Sequence, residues 1–135
     1  MDKDKQPGIS FDGIMLVKEN FWRDYDVPED TKPDFKINMG WNVKDNIYFV
    51  ELSTILRLLH DGKETLKLEN TFVGIFSIVN DKENMEIEAY VKNNAPALMF
   101  PYIREHISTI TQKSGIRPIL LPPINILALI KQSEK

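Results

Sequence analysis

The stretch "FKINMGWNVKDNIYFVELSTILRLLHDGKETLKLENTFVGIFSIV", Phe35 to Val79, decides the fold. Phe35, Ile37, Met39, Trp41 and Val43 alternate with Lys36, Asn38, Gly40 and Asn42. A period of two marks a half-buried strand. Lys44-Asp45-Asn46 then reads as a tight turn, and Asp61-Gly62 as a hairpin turn. Between them, Tyr48, Val50, Leu52, Leu56 and Leu58 fall on one face of a second strand. After them, Leu66, Leu68, Phe72, Phe76 and Ile78 share a face of a third, with Thr65, Lys67, Glu69, Thr71 and Ser77 opposite.

Upstream, "GIMLVKENFWRDY" is a less regular strand, expected to bend near Lys18–Asn20. The acidic, turn-rich "DVPEDTKPD" links it to the next strand. Four consecutive antiparallel strands are therefore expected. Beyond Asn80–Asn84, a polar loop, the pattern changes. "NMEIEAYVKNN" suggests a short helix, and from Leu98 the period is helical, with Met99, Ile103, Ile107 and Ile110 on one face. Pro101 is compatible with this if it stands in the first turn, where no N–H partner is lost. Ser114-Gly115 is a helix stop. "IRPILLPPIN" is too proline-rich for a helix and reads as an extended apolar connector. Asn125 is placed to cap a last short helix through Lys131, with Ile126, Leu129 and Ile130 buried. Strands followed by helices imply an α+β fold, a four-stranded antiparallel sheet with helices packed on one face.

At 135 residues one domain is expected: a segment at 1–10 that is flexible, a folded body at 11–131 and a short tail at 132–135. The absence of cysteine excludes disulfides and thiolate metal sites. A net charge of -3 gives no broad footprint for nucleic acid. "MDKDKQPG" has no apolar core of a secretory signal, and Arg104, Glu105, His106 and Pro122-Pro123 break up the most apolar region, so a membrane span is not expected. A cytoplasmic location follows. Glu105-His106 is a poor catalytic pair, because neighbours on a helix diverge by about 100°. The other histidine, His60, lies far off in a turn, and no nucleophile motif is present. No enzyme activity, cofactor or metal is expected.

Two motifs together resemble the SecB family of bacterial export chaperones. "GIFSI", Gly74 to Ile78, closes the last strand. "ALMFPYIREHISTI…G…P…LPPINILALI" follows, with Phe100-Pro101-Tyr102 and Arg104-Glu105 at its centre. Phe11 and Lys18-Glu19 extend the resemblance, which covers roughly Phe11 to Ile130. It implies a homotetramer, a dimer of dimers with long helices between the dimers. It implies an ATP-independent holdase that binds unfolded preproteins and passes them to the motor SecA, with no catalysis. Ile75, Phe76, Phe100, Ile119, Leu120 and Leu121 form the implied client groove. Phe76 shares the core face of Phe72 and Ile78, whereas Ile75 points the other way. Phe21 and Trp22 are an aromatic pair suited to core or contact. Ile103, Arg104, Glu105, Ile107 and Ile110 form the implied subunit interface, and Glu19 with Glu69 the SecA-facing surface. Lys67 departs from the family's apolar residue in that patch, and the chain stops at Lys135 without the acidic tail many members carry.

The physics points the same way. Arg117-Pro118 and Pro122-Pro123 fix backbone angles and remove donors, so the connector resists collapse onto its own core. Ile119 to Leu121 are then free to line a groove for an extended chain. Three alternatives remain: a SecB-like chaperone dedicated to the antitoxin of a toxin–antitoxin pair, a small α+β enzyme or ligand-binding protein, and a structural oligomer without clients.

Overall fold

The computed structural model describes residues 9–78, 84–122 and 126–133. Four strands run in chain order: β1 (Ile9–Arg23), β2 (Lys32–Lys44), β3 (Ile47–His60) and β4 (Lys63–Ile78). Helices α1 (Asn84–Lys113) and α2 (Ile126–Ser133) follow. The sheet is antiparallel in the order β1-β4-β3-β2. Both hairpin turns fall where the sequence places them. Asp45 and Asn46 have φ of 53° and 64°, and Asp61 and Gly62 have 51° and 79°. Two successive positive φ values match the twist of the flanking strands, and Asn, Asp and Gly reach them at least cost.

One face of the sheet carries the core. Val50, Leu52, Leu56 and Leu68 are completely buried there, beneath Met99, Ile103 and Ile107 of α1. α2 packs on β2 and α1 through Ile126 and Ile130. The opposite face holds Ile47, Phe49, Ile55, Val73 and Ile75 only partly buried. The candidate cap Asn125 lies outside the described residues.

Two expectations change. The separate helices around Met85 and Met99 are one helix of 30 residues, with Pro96 and Pro101 both inside it. Pro101 is therefore not a first-turn proline. Each proline forfeits one backbone bond, freeing the carbonyl four residues back, at Lys92 and Ala97. Both of those residues are exposed, so water can take the place of the missing donor. Packing along the helix, about 45 Å at 1.5 Å per residue, outweighs the local cost. The second change concerns β1. Its irregularity lies at two bulges, between Phe11 and Gly13 and between Leu16 and Lys18, just before the expected bend. A bulge inserts one unpaired residue and reverses the alternation beyond it.

Candidate binding cleft

β1 and β2 occupy opposite edges of the sheet, so the chain between them must cross its end. This crossover, residues 24–31, straps the tip of the β3–β4 hairpin. The Asp24 N–H donates to Thr65 O at 2.8 Å. Lys63 Nζ lies 3.7 Å from Asp24, and His60 Nδ1 lies 3.1 Å from Asp30. Opposite it, α1 ends where Gly115 turns at φ 89°, a left-handed conformation that favours glycine. The connector then runs back along the molecule. Thr111 holds it: its hydroxyl donates to Ile107 O at 2.8 Å and accepts from the Ile119 N–H at 2.9 Å.

Between crossover and connector lies a cleft of about 490 Å³. Val27, Pro28 and Pro33 line one side, Pro118 and Ile119 the other, with Leu58 among the lining residues. Glu29 and Arg117 add one charge of each sign, and both are exposed. The prolines have no N–H to offer, so the walls present mainly apolar surface and carbonyls. Such a cleft suits side-chain insertion better than a ladder of backbone bonds.

The structure divides the groove set inferred from sequence. Ile119 lines the cleft, and Leu120 beside it is 66% exposed. Leu121 and Phe100 are each 7% exposed and belong to the core. Phe76 is buried and stacks on Phe11 with ring centres 4.9 Å apart. Ile75 lies on the opposite sheet face, as alternation requires. Within the single chain these six residues therefore do not converge on one groove. The cleft instead takes residues that sequence reasoning missed, in the crossover, at the start of β2 and on β3. The available signal was a lone Val27 followed by two prolines, Pro28 and Pro33, in an otherwise acidic link.

The interface set divides in the same way within the single chain. Ile103 and Ile107 are fully buried against the chain's own sheet, and Ile110 packs on that core. A helical stripe of isoleucines reports burial without saying against what. Glu105 is exposed and accepts a 2.7 Å bond from Thr109 Oγ1. The buried Arg104 Nε has no partner among the described residues. The outward face of α1 carries Leu98 and Tyr102 instead, 42% and 50% exposed. Phe21 is partly buried against the core, while Trp22 is 39% exposed.

Glu19 and Glu69 lie on opposite faces of the sheet. With Leu16 opposite Phe72, an unbroken β1 would set Glu19 opposite Glu69. The bulge at Val17 instead pairs Glu19 with Asn70 and Asn20 with Glu69. Glu19 thereby turns toward α1 and contacts His106 Nε2, whose ring also meets Phe72 edge-on. Glu69 stays on the open face, 2.9 Å from Lys67 Nζ. The two carboxylates do not form a common surface, and His106 pairs across to β1 rather than with Glu105.

No group of three or more metal-ligating side chains occurs among the described residues, and none of their helices is long and apolar enough to cross a membrane. The structure thus defines a small α+β protein with a cleft of mixed polar and apolar lining, including three prolines, at one end of its sheet. Residues 18–135 match the family described as preprotein translocase subunit SecB, and the chain belongs to that family. It is 35% identical over 100 residues to the protein-export protein SecB of Nitrobacter winogradskyi, covering 73% of this chain and 62% of that one. The counterpart from Orientia tsutsugamushi is 32% identical over 105 residues, covering 78% and 64%. The chain thus spans less than two thirds of the length of these relatives. The SecB-like chaperone of Mycobacterium tuberculosis, solved in complex with a ChAD peptide from an antitoxin, shares the fold. The TM-score is 0.77 at 16% identity, covering 87% of this chain and 91% of that one.

Proposed function

We propose that this protein is an ATP-independent holdase for unfolded, export-bound chains, acting from the cytoplasm. The observation that carries this is the cleft, joined to family membership. A 490 Å³ recess with proline-stiffened walls, beside a Leu120 that is 66% exposed, offers apolar surface that cannot fold inward. An extended client would insert alternate side chains there. The protein should suppress aggregation of a denatured client without nucleotide. Leu120→Ser should weaken that suppression and leave thermal stability within about 0.5 kcal/mol, because the side chain is mostly exposed. No suppression at stoichiometric protein would overturn the proposal.

The working assembly in this reading is a homotetramer, a dimer of dimers. Leu98, Tyr102 and Glu105 on the outer side of α1 support a helix-mediated contact. Native mass tests it, and a stable monomer would count against it. Delivery to SecA belongs to the same reading. Glu69 on the open sheet face supports it alone, its charge partly offset by Lys67. A dedicated antitoxin chaperone is the second reading, favoured by the antitoxin peptide bound to the fold neighbour. A pull-down from the host separates the two: precursors with SecA, or one toxin–antitoxin pair.

A further inference from the structure

Arg23, the last residue of β1, makes three bonds to backbone carbonyls. Its Nε donates to Asp24 O at 2.7 Å, and its Nη2 to Tyr25 O at 2.8 Å. Its Nη1 donates to Ser114 O at 2.5 Å, across 91 residues of sequence. The first two carbonyls begin the crossover. The third lies just past the last turn of α1, where carbonyls lack helical partners and the helix dipole favours a cation. One guanidinium therefore ties together the two segments that wall the cleft. A Cβ added at Gly115 would sit 3.7 Å from Nη1, an ordinary contact. Glycine there serves its φ of 89° rather than clearance for the arginine.

We propose that Arg23 is the positioning residue of the cleft, its guanidinium fixing the spacing of crossover and connector so that a client meets a ready-made recess. Thr111 secures only the connector, through the Ile119 N–H. Among the described residues, Arg23 is the side chain that bonds both walls at once. The planar fork of an arginine can serve three carbonyls in different directions. A lysine offers one ammonium on a flexible stem and cannot span them. Walls held in place before binding need not be ordered by the client, and that lowers the entropic cost of capture.

The proposal rests on the client reading of the cleft, and its test separates the two. Amide exchange of the unliganded protein is followed at Asp24 and Ile119, whose N–H groups are bonded at the two walls, and at residues of β3 and β4. Affinity is measured for reduced, carboxymethylated α-lactalbumin, a permanently unfolded probe. In Arg23→Ala, exchange at both walls should rise while the central strands and the native mass stay unchanged. Affinity for the probe should fall about tenfold, the scale of losing charge-assisted bonds that preorganise a site. Arg23→Lys should resemble Arg23→Ala and, if the alanine variant does not fold, carries the same readouts. Unchanged wall exchange, full rescue by lysine, or loosened walls with unaltered affinity would each overturn the positioning role. If the wild-type protein fails to bind the probe, the client reading fails, and wall exchange still decides whether Arg23 is the clasp.

Discussion

Gly74 opens the "GIFSI" motif, and the structure gives a reason for its lack of a side chain. A Cβ at this position would lie 2.7 Å from Sδ and 3.1 Å from Cγ of Met99, and 3.0 Å from a ring carbon of Phe76. Met99 is fully buried and Phe76 is 1% exposed, so neither has free space to move into. Gly74→Ala should therefore overpack the junction of β4 and α1, at about 1–3 kcal/mol. Removing a flexible glycine from a strand returns about 0.5–1 kcal/mol. The expected net loss is about 0–2.5 kcal/mol, centred on about 1.3, or a Tm fall of about 4–5 °C at that centre for a domain of this size. Methionine is adaptable, so a rotamer change is the obvious escape. A second variant closes that route. Met99→Ala alone should cost about 2–5 kcal/mol as a cavity. Adding Gly74→Ala to it should cost nothing or stabilise, because the new methyl then meets empty space, giving a coupling of at least about 1 kcal/mol. Urea unfolding at one fixed protein concentration measures all four corners of the cycle, since assembly would otherwise move the midpoint. If Gly74→Ala is more stable than wild type, or if its penalty persists when Met99 is gone, close helix approach is not why the motif begins with glycine.

Two further outcomes follow from burial and titration. Ile107→Asp should abolish cooperative folding, at a cost above about 4 kcal/mol for an unpaired carboxylate in the core; a dissociated variant with native circular dichroism would return Ile107 to a subunit surface. The Asp12 carboxyl is held below the usual carboxylate range, first by a hydrogen bond with Ser77 and then by one with Ser10. Its stabilising effect should be present above the unfolded value of about 3.9 and be lost as pH falls through the lower, folded value. An NMR titration of Asp12 at or above that value, or an unchanged shift in Ser77→Ala, would refute this.

The sequence by itself determined the four strands, both two-residue turns and the helix stop at Gly115. Each depends on local chemistry: alternation, the positive φ that Asp-Asn and Asp-Gly accept, and a glycine after an apolar helical stripe. The family motifs were also legible in sequence, because they are contiguous. Only the tertiary structure decided where the faces look. A stripe such as Ile103 and Ile107 requires a partner surface, and nothing in its spacing distinguishes the chain's own sheet from a neighbour's. The bulge at Val17 leaves no mark in composition, yet one extra residue turns Glu19 from the face of Glu69 to the face of His106. Pro101 shows the limit of propensity, since packing along a 30-residue helix outweighs one missing bond. The cleft is a tertiary product throughout. Val27, Leu58 and Ile119 are distant in sequence, and they meet because β1 and β2 occupy opposite edges, forcing a crossover past the end of α1. Arg23 joins the walls for the same reason: a guanidinium reads carbonyl positions, and only the fold brings Asp24, Tyr25 and Ser114 within its reach.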